Sequence, residues 1–168
     1  MPELIIDIKE IERLSEEHEY ENVEFRSYLK GYDIELDEFD SIVHSFHDDI
    51  SAKIDCTKCA NCCKTMTVVL DDDDLSLIAK GLGISLEEVR ANYTSRDEES
   101  NECIIDKKPC PFLKDNKCTI YQYRPKVCRS FPHLHKEGIV FRLWGIIDNA
   151  SVCPIVFNVF EQMKMRFW

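Results

Sequence analysis

Cys56-Thr57-Lys58-Cys59-Ala60-Asn61-Cys62-Cys63 places four of the chain's nine cysteines within eight residues. Packing does not call for such density, because a buried thiol serves a core as a small hydrophobe and cores scatter such residues. Two C-x-x-C spacings in tandem, closed by an adjacent pair, gather thiolates around an electrophile. The two-residue spacer lets the backbone turn so that two sulfurs face one metal. A fold built around this stretch is a small, irregular one in which loops carry ligands.

Composition sets the frame. The 168 residues fit one domain with an extension, and an apolar fraction of 44% is that of an ordinary globular chain. No run is long enough for a membrane helix, and Met1-Pro2-Glu3-Leu4-Ile5-Ile6-Asp7 lacks the basic and apolar segments of a signal peptide. The expectation is a cytoplasmic protein in a compartment that keeps thiols reduced, with no membrane partner. Nine cysteines is an odd number, so disulfides within the chain cannot pair all of them. Metal ligation is the reading preferred over a disulfide framework.

Charge is unevenly spread. The chain carries −11 overall, which disfavours broad binding to a phosphate backbone, so nucleic acid is not an expected partner. Residues 1–55 hold 17 acidic and 5 basic side chains. Residues 103–142 hold 9 basic and 3 acidic ones, and this is where Cys103, Cys110, Cys118 and Cys128 lie. Positive neighbours favour thiolates; a solvated basic face accounts for the same lysines.

Periodicity predicts the elements. Leu4, Ile5, Ile8, Ile11 and Leu14 predict an amphipathic helix over residues 4–20, and Gly31 and Asp33 a break. Leu36, Phe39, Ile42, Val43, Phe46 and Ile50 predict a second helix over 35–54, with His44 and His47 as surface or interhelical residues. Met66–Leu70 reads as a strand. Asp71 to Asp74 read as the cap and first turn of a helix rather than a calcium site, since no EF-hand spacing follows. Ser85 to Glu88 has capping-box form and opens a helix to about Tyr93. Residues 94–101 read as a loop, Cys103–Ile105 as a strand, Asp115-Asn116 as a hairpin turn, and Ile139–Ile147 as a strand. Pro154 suits the first turn of a C-terminal helix. Together these predict an α+β protein: helical N- and C-terminal segments around a small irregular antiparallel sheet and metal-bound cysteine loops. Residues 1–54 are expected to form an acidic helical extension and 55–168 the cysteine domain.

Beyond the tandem cluster come Pro109-Cys110-Pro111-Phe112-Leu113, Cys118-Thr119-Ile120-Tyr121, and Arg124-Pro125-x₂-Cys128-Arg129-x-Phe131-Pro132, then Cys153-Pro154. With Cys56-x₂-Cys59-x₂-Cys62-Cys63 this combination resembles the CxxCxxCC cysteine-cluster family. That family, also called YkgJ-like, is described as a zinc- or iron-chelating domain and grouped with iron–sulfur-cluster-containing proteins. Flagellin lysine N-methylases show a similar cysteine pattern. The resemblance covers residues 56 to 154. It implies Cys56, Cys59, Cys62, Cys63, Cys110, Cys118, Cys128 and Cys153 as metal ligands, leaving Cys103 as a structural thiol. It also tips the cofactor toward a [4Fe–4S] cluster, with zinc as the alternative.

Eight thiolates exceed the four that a zinc ion or a cubane cluster takes from protein. Either two sites form, or one site keeps spare thiols nearby. Adjacent residues project differently, so Cys62 and Cys63 are expected to face different environments. Arg124 and Arg129 flank Cys128 as candidate donors to metal-bound sulfur, with loop anchoring as the other reading. His133 and His135 read as surface residues ahead of ligands. Three functions compete: an iron–sulfur module for electron transfer, metal handling or assembly with a protein partner; a structural zinc domain presenting the acidic helices; and a methyltransferase-related enzyme by analogy. Only 5 glycines, and no glycine-rich strand-to-helix turn, argue against a nucleotide cofactor.

Overall fold

The computed structural model describes residues 3–168. In chain order its helices are α1 (Ile8–Glu17), α2 (Glu19–Leu29), α3 (Leu36–Ser51), α4 (Cys56–Cys59), α5 (Asn61–Thr65), α6 (Asp72–Leu82), α7 (Leu86–Tyr93), α8 (Lys126–Ser130), α9 (Leu143–Ala150) and α10 (Pro154–Phe167). Its strands are β1 (Val68–Leu70), β2 (Ser95–Arg96), β3 (Cys103–Ile105), β4 (Leu113–Lys114) and β5 (Lys117–Cys118). Tyr121–Tyr123 and Ile139–Arg142 are 3₁₀ turns. This is the expected α+β class, with one antiparallel sheet in the order β1-β3-β2 and a separate β4-β5 hairpin.

The chain divides into two compact units. The first joins residues 1–55 to 132–168, and the second is Cys56–Phe131. The C-terminal helices, grouped by sequence with the cysteine domain, therefore belong with the N-terminal ones.

In the first unit α10 packs against α3 and α9. Phe25, Phe39, Val43, Ile139, Leu143, Phe160 and Met163 are fully or almost fully buried there. Each such side chain contributes on the order of 1.5–3 kcal/mol when removed from water. Lys164 is buried on α10, where its ammonium meets Glu21 at 2.7 Å, Glu161 at 2.6 Å and Asn22 at 3.1 Å. A buried ammonium requires such partners.

Two expectations change here. The predicted helix over 4–20 begins only at Ile8, capped by Asp7, and is interrupted at His18. The residues before it are not helical, and Asn158 of α10 brackets Ile5 there, accepting from its N–H at 3.0 Å and donating to its C=O at 2.7 Å. The predicted strand over Ile139–Ile147 is instead a 3₁₀ turn followed by α9. Buried Asp40 of α3 decides this. Its carboxylate accepts from the N–H groups of Gly138 at 2.5 Å and Ile139 at 3.0 Å, and so caps the turn. Ile139, Leu143, Ile146 and Ala150 then fall inward at helical spacing.

The second unit is cored by Leu70, Leu75, Ile78, Val89, Ile105, Phe112 and Ile120. Both expected capping boxes are present, Asp71 with Asp74 and Ser85 with Glu88. Gly83 ends α6 in the left-handed region at φ 69°, where a side chain would be strained. Gly81 lies inside that helix for another reason: a Cβ there would meet Tyr123 at 2.8 Å. Within residues 94–101, expected as a loop, Ser95 and Arg96 pair with Ile104 and Cys103 as a third, short strand. No helix among the described residues is long and apolar enough to cross a membrane.

Candidate metal centre

Seven of the eight expected ligands, with Cys103, fall within the second unit. Cys153 is in the first, buried at the N-cap of α10. Among the described residues the nine cysteines form no disulfide.

The tandem motif folds as two short helical turns, α4 and α5. Between them Ala60 is left-handed at φ 52° and buried. A non-glycine residue in that region costs about 1–3 kcal/mol, so surrounding structure must hold it. The Ala60 N–H donates to the Cys56 carbonyl at 2.9 Å, and the Lys64 ammonium donates to the Cys59 carbonyl at 2.8 Å. Cys56 is exposed and Cys59 half-buried.

Distal cysteines reach this motif through backbone bonds. The Cys110 N–H donates to the Cys63 carbonyl at 2.8 Å. Cys110 in turn accepts from Leu113 at 2.9 Å, and Leu113 pairs with Cys118 across the β4-β5 hairpin. That hairpin turns at Asp115 and Asn116, both at positive φ, as expected. Cys128 sits on α8. Its preceding turn is clipped to the start of α6, where the Lys126 ammonium contacts Asp71 and Asp73 at 2.9 Å each. The four-aspartate run is therefore a helix cap and an anchor for the Cys128 helix.

Cys62 and Cys63, expected to diverge, have sulfurs 4.0 Å apart. Neighbouring residues of a helix project in different directions, yet these two sulfurs lie within contact distance. Two thiolates on one tetrahedral zinc stand about 3.8 Å apart, given a Zn–S bond of about 2.3 Å.

Electrostatics links four sulfurs. The Cys63 thiol is drawn down to about 6, first by the hydrogen bond with Cys62 and then, against the effect of burial, by Arg124 and Lys64. Burial pushes Cys110 and Cys118 up, and the charge on Cys63 adds to both shifts. Cys128 is pushed up to about 12 by burial, then by Cys63, Cys110 and Cys118. Four thiols thus share a poorly solvated volume in which each thiolate disfavours the next. A metal cation reverses that logic and deprotonates coordinating thiols outright. Cys63, Cys110, Cys118 and Cys128 are donors of the right chemistry for such a group, without being gathered around one point. Among the described residues no three His, Cys, Asp or Glu side chains are grouped so as to hold one ion.

The two candidate arginines separate. Arg124 stacks over Tyr121 at 3.8 Å, and its charge lowers the thiols of Cys63, Cys118 and Cys128. Its Nε is buried with no hydrogen-bond partner among the described residues, a donor left for an acceptor at this site. Arg129 is not among the groups acting on any of these thiols. Cys103 lies on β3 opposite Leu70 and packs against the apolar core. His133 and His135 belong to the first unit, where the His135 ring lies 6.4 Å from that of His47. Lys64 is the contributor that sequence reasoning passed over; its signal was adjacency to the cysteine pair.

A unit in which half-buried thiols from one tandem motif and three distal segments feel one another's charge has the donor chemistry of a cysteine-rich metal-chelating domain. Residues 55–154 match the family model "CxxCxxCC: Putative zinc- or iron-chelating domain", and the chain belongs to that family. The match covers the whole second unit and continues into the first as far as Pro154. No curated protein and no solved structure matches the chain. Zinc and iron both lie within the family's description, and thiolate donors suit either.

Proposed function

We propose that the second unit carries a [4Fe–4S] cluster and passes single electrons to a protein partner in a reducing compartment such as the cytoplasm. Cys63, Cys110, Cys118 and Cys128 would hold the cluster, with Cys62 as a further thiol beside Cys63. The observation that carries this reading is Arg124. Its charge reaches three of the four thiols, and its buried Nε has no hydrogen-bond partner among the described residues. Sulfide and thiolate sulfurs accept such bonds, and hydrogen bonds to cluster sulfurs set reduction potential. When bound, the cluster supplies reversible one-electron chemistry. The protein supplies a half-buried thiol set, a fixed positive charge that offsets the cluster's negative charge, and a backbone held by the Cys63–Cys110 and Asp74–Lys126 bonds.

Anaerobic purification followed by iron, acid-labile sulfide and zinc analysis tests the proposal. Iron and sulfide in equal amounts, with a visible absorption that bleaches on reduction, are expected. A colourless protein with stoichiometric zinc would overturn it.

That second outcome has its own support. The 4.0 Å between the Cys62 and Cys63 sulfurs suits one tetrahedral zinc. In that reading the domain is structural, and a chelator unfolds it without removing any redox signal.

A further inference from the structure

Four of the chain's five histidines meet in the first unit, two on α3 and two in the segment before the 3₁₀ turn at Ile139. Asp40, His44 and His47 follow one face of α3 at helical spacing. Each of them reaches residues 133–139. The Asp40 carboxylate holds the N–H groups of Gly138 and Ile139, the His44 Nε2 lies 3.5 Å from the Lys136 carbonyl, and the His47 ring stands 6.4 Å from that of His135. The segment needs this support. His133 is left-handed at φ 66°, a conformation that a non-glycine residue keeps only when its surroundings impose it. Arg142 supplies part of the constraint, donating to the carbonyls of His133 at 3.0 Å, of Glu137 at 3.2 Å and of Lys136. Leu134, between the two histidines, is fully buried.

Charge makes this attachment sensitive to acid. The charges acting on His135 are those of His47, Lys136, His44 and Arg142, and those acting on His133 are Lys136, Arg142 and His135. All of these are cations or become cations on protonation. The carboxylates at hand are Asp48, exposed and 3.3 Å from the His47 Nδ1, Asp40, already committed to two N–H groups, and the exposed Glu137. Burial first, and then the cations, hold His133 and His135 below the ordinary histidine range. A histidine lowered in this way contributes stability that is present above the ordinary range and is lost as pH falls through the lowered value. We propose that residues 133–138 are an acid-released clasp, docked on α3 while the imidazoles are neutral and let go when protonation adds like charges to Lys136 and Arg142. Release bares Leu134 and uncaps the 3₁₀ turn that Asp40 holds. The clasp lies wholly within the first unit and does not depend on which metal the second unit holds.

Hydrogen exchange of the full chain, purified with its metal, reads the clasp at the amides of Gly138 and Ile139. Exchange is followed by mass spectrometry at about pH 7.5 and at about pH 5.5, the latter above the ordinary carboxylate range, and is corrected for the pH dependence of the chemical step. Protection over residues 133–140 should fall by about tenfold or more in acid, the effect of one pKa unit on one histidine, while α10 keeps its protection. His47→Gln with His135→Gln should flatten most of this pH dependence, and His135→Gln alone, at an exposed position, should flatten part of it. His18→Gln, which also removes a histidine from the first unit, should leave it intact. Circular dichroism and metal analysis at both pH values show that each variant is folded and loaded. Unchanged protection in acid would overturn the proposal, as would an equal loss over the whole first unit. So would the same acid opening in both the double variant and His135→Gln, which would assign the effect to metal loss or to carboxylates.

Discussion

The buried carboxylate of Asp74, in the first turn of α6, accepts the backbone N–H of Lys126 at 2.8 Å across 52 residues of chain. The same carboxylate accepts the Asp71 N–H at 3.3 Å through its other oxygen. One side chain therefore closes a helix cap and positions the helix that carries Cys128.

Asp74→Ala should leave two N–H groups without their acceptor. A loss of about 1–3 kcal/mol is expected, measured by chemical denaturation, together with weaker metal retention through Cys128. Asp71→Ala, which removes an exposed ion pair and the other half of the box, should cost less. The Asp71 carboxyl is held below its usual range, first by Lys126. Its contribution is present above the ordinary carboxylate range and is lost as pH falls through its lowered value.

Thiol reactivity in the metal-free protein should order the cysteines. Cys63 deprotonates at about 6 and Cys128 only at about 12. Alkylation followed by peptide mass mapping should label Cys63 near neutral pH, with Cys110, Cys118 and Cys128 lagging well into alkaline pH. Bound metal should abolish the labelling of all four. As for stability, the lowered Cys63 value favours the fold above the ordinary thiol range, a contribution lost as pH falls through about 6. The raised Cys128 value works oppositely: its contribution is complete below the ordinary thiol range and is lost as pH rises toward about 12.

Serine replacement should separate ligands from packing thiols. Cys63→Ser, Cys110→Ser and Cys128→Ser should each remove most bound metal, assayed by elemental analysis. Cys103→Ser should keep it and cost only the packing of a small apolar group on β3. Metal loss in Cys103→Ser equal to that in Cys63→Ser would refute the four-thiol site.

Arg124→Gln should weaken metal binding by about ten- to a hundredfold, the range for partners of ligating groups, and should raise the pH at which Cys63 alkylates. Arg129→Gln should change neither. A matching effect at both positions would mean that general positive charge, not the Arg124 guanidinium, supports the site.

Much of this molecule is local and therefore legible in sequence. Asp71–Asp74 and Ser85–Glu88 announce their helices because capping is a contact between residues three apart. Asp115-Asn116 announces its hairpin because those residue types tolerate positive φ. The cysteine spacings announce the family, since thiolates two residues apart have little other use. What the sequence left open involves partners distant along the chain. The β-branched run from Ile139 suits strand or helix equally until Asp40, about a hundred residues earlier, caps it as a turn. Arg124 and Arg129 look alike beside Cys128; only packing gives one of them influence over three thiols. Likewise, an apolar helical stripe states that a face must be buried, not against what. Local patterns fix short-range hydrogen bonds and dihedral preferences, whereas the pairing of faces and the electrostatic coupling of Cys63, Cys110, Cys118 and Cys128 depend on contacts that exist only once the chain has closed on itself.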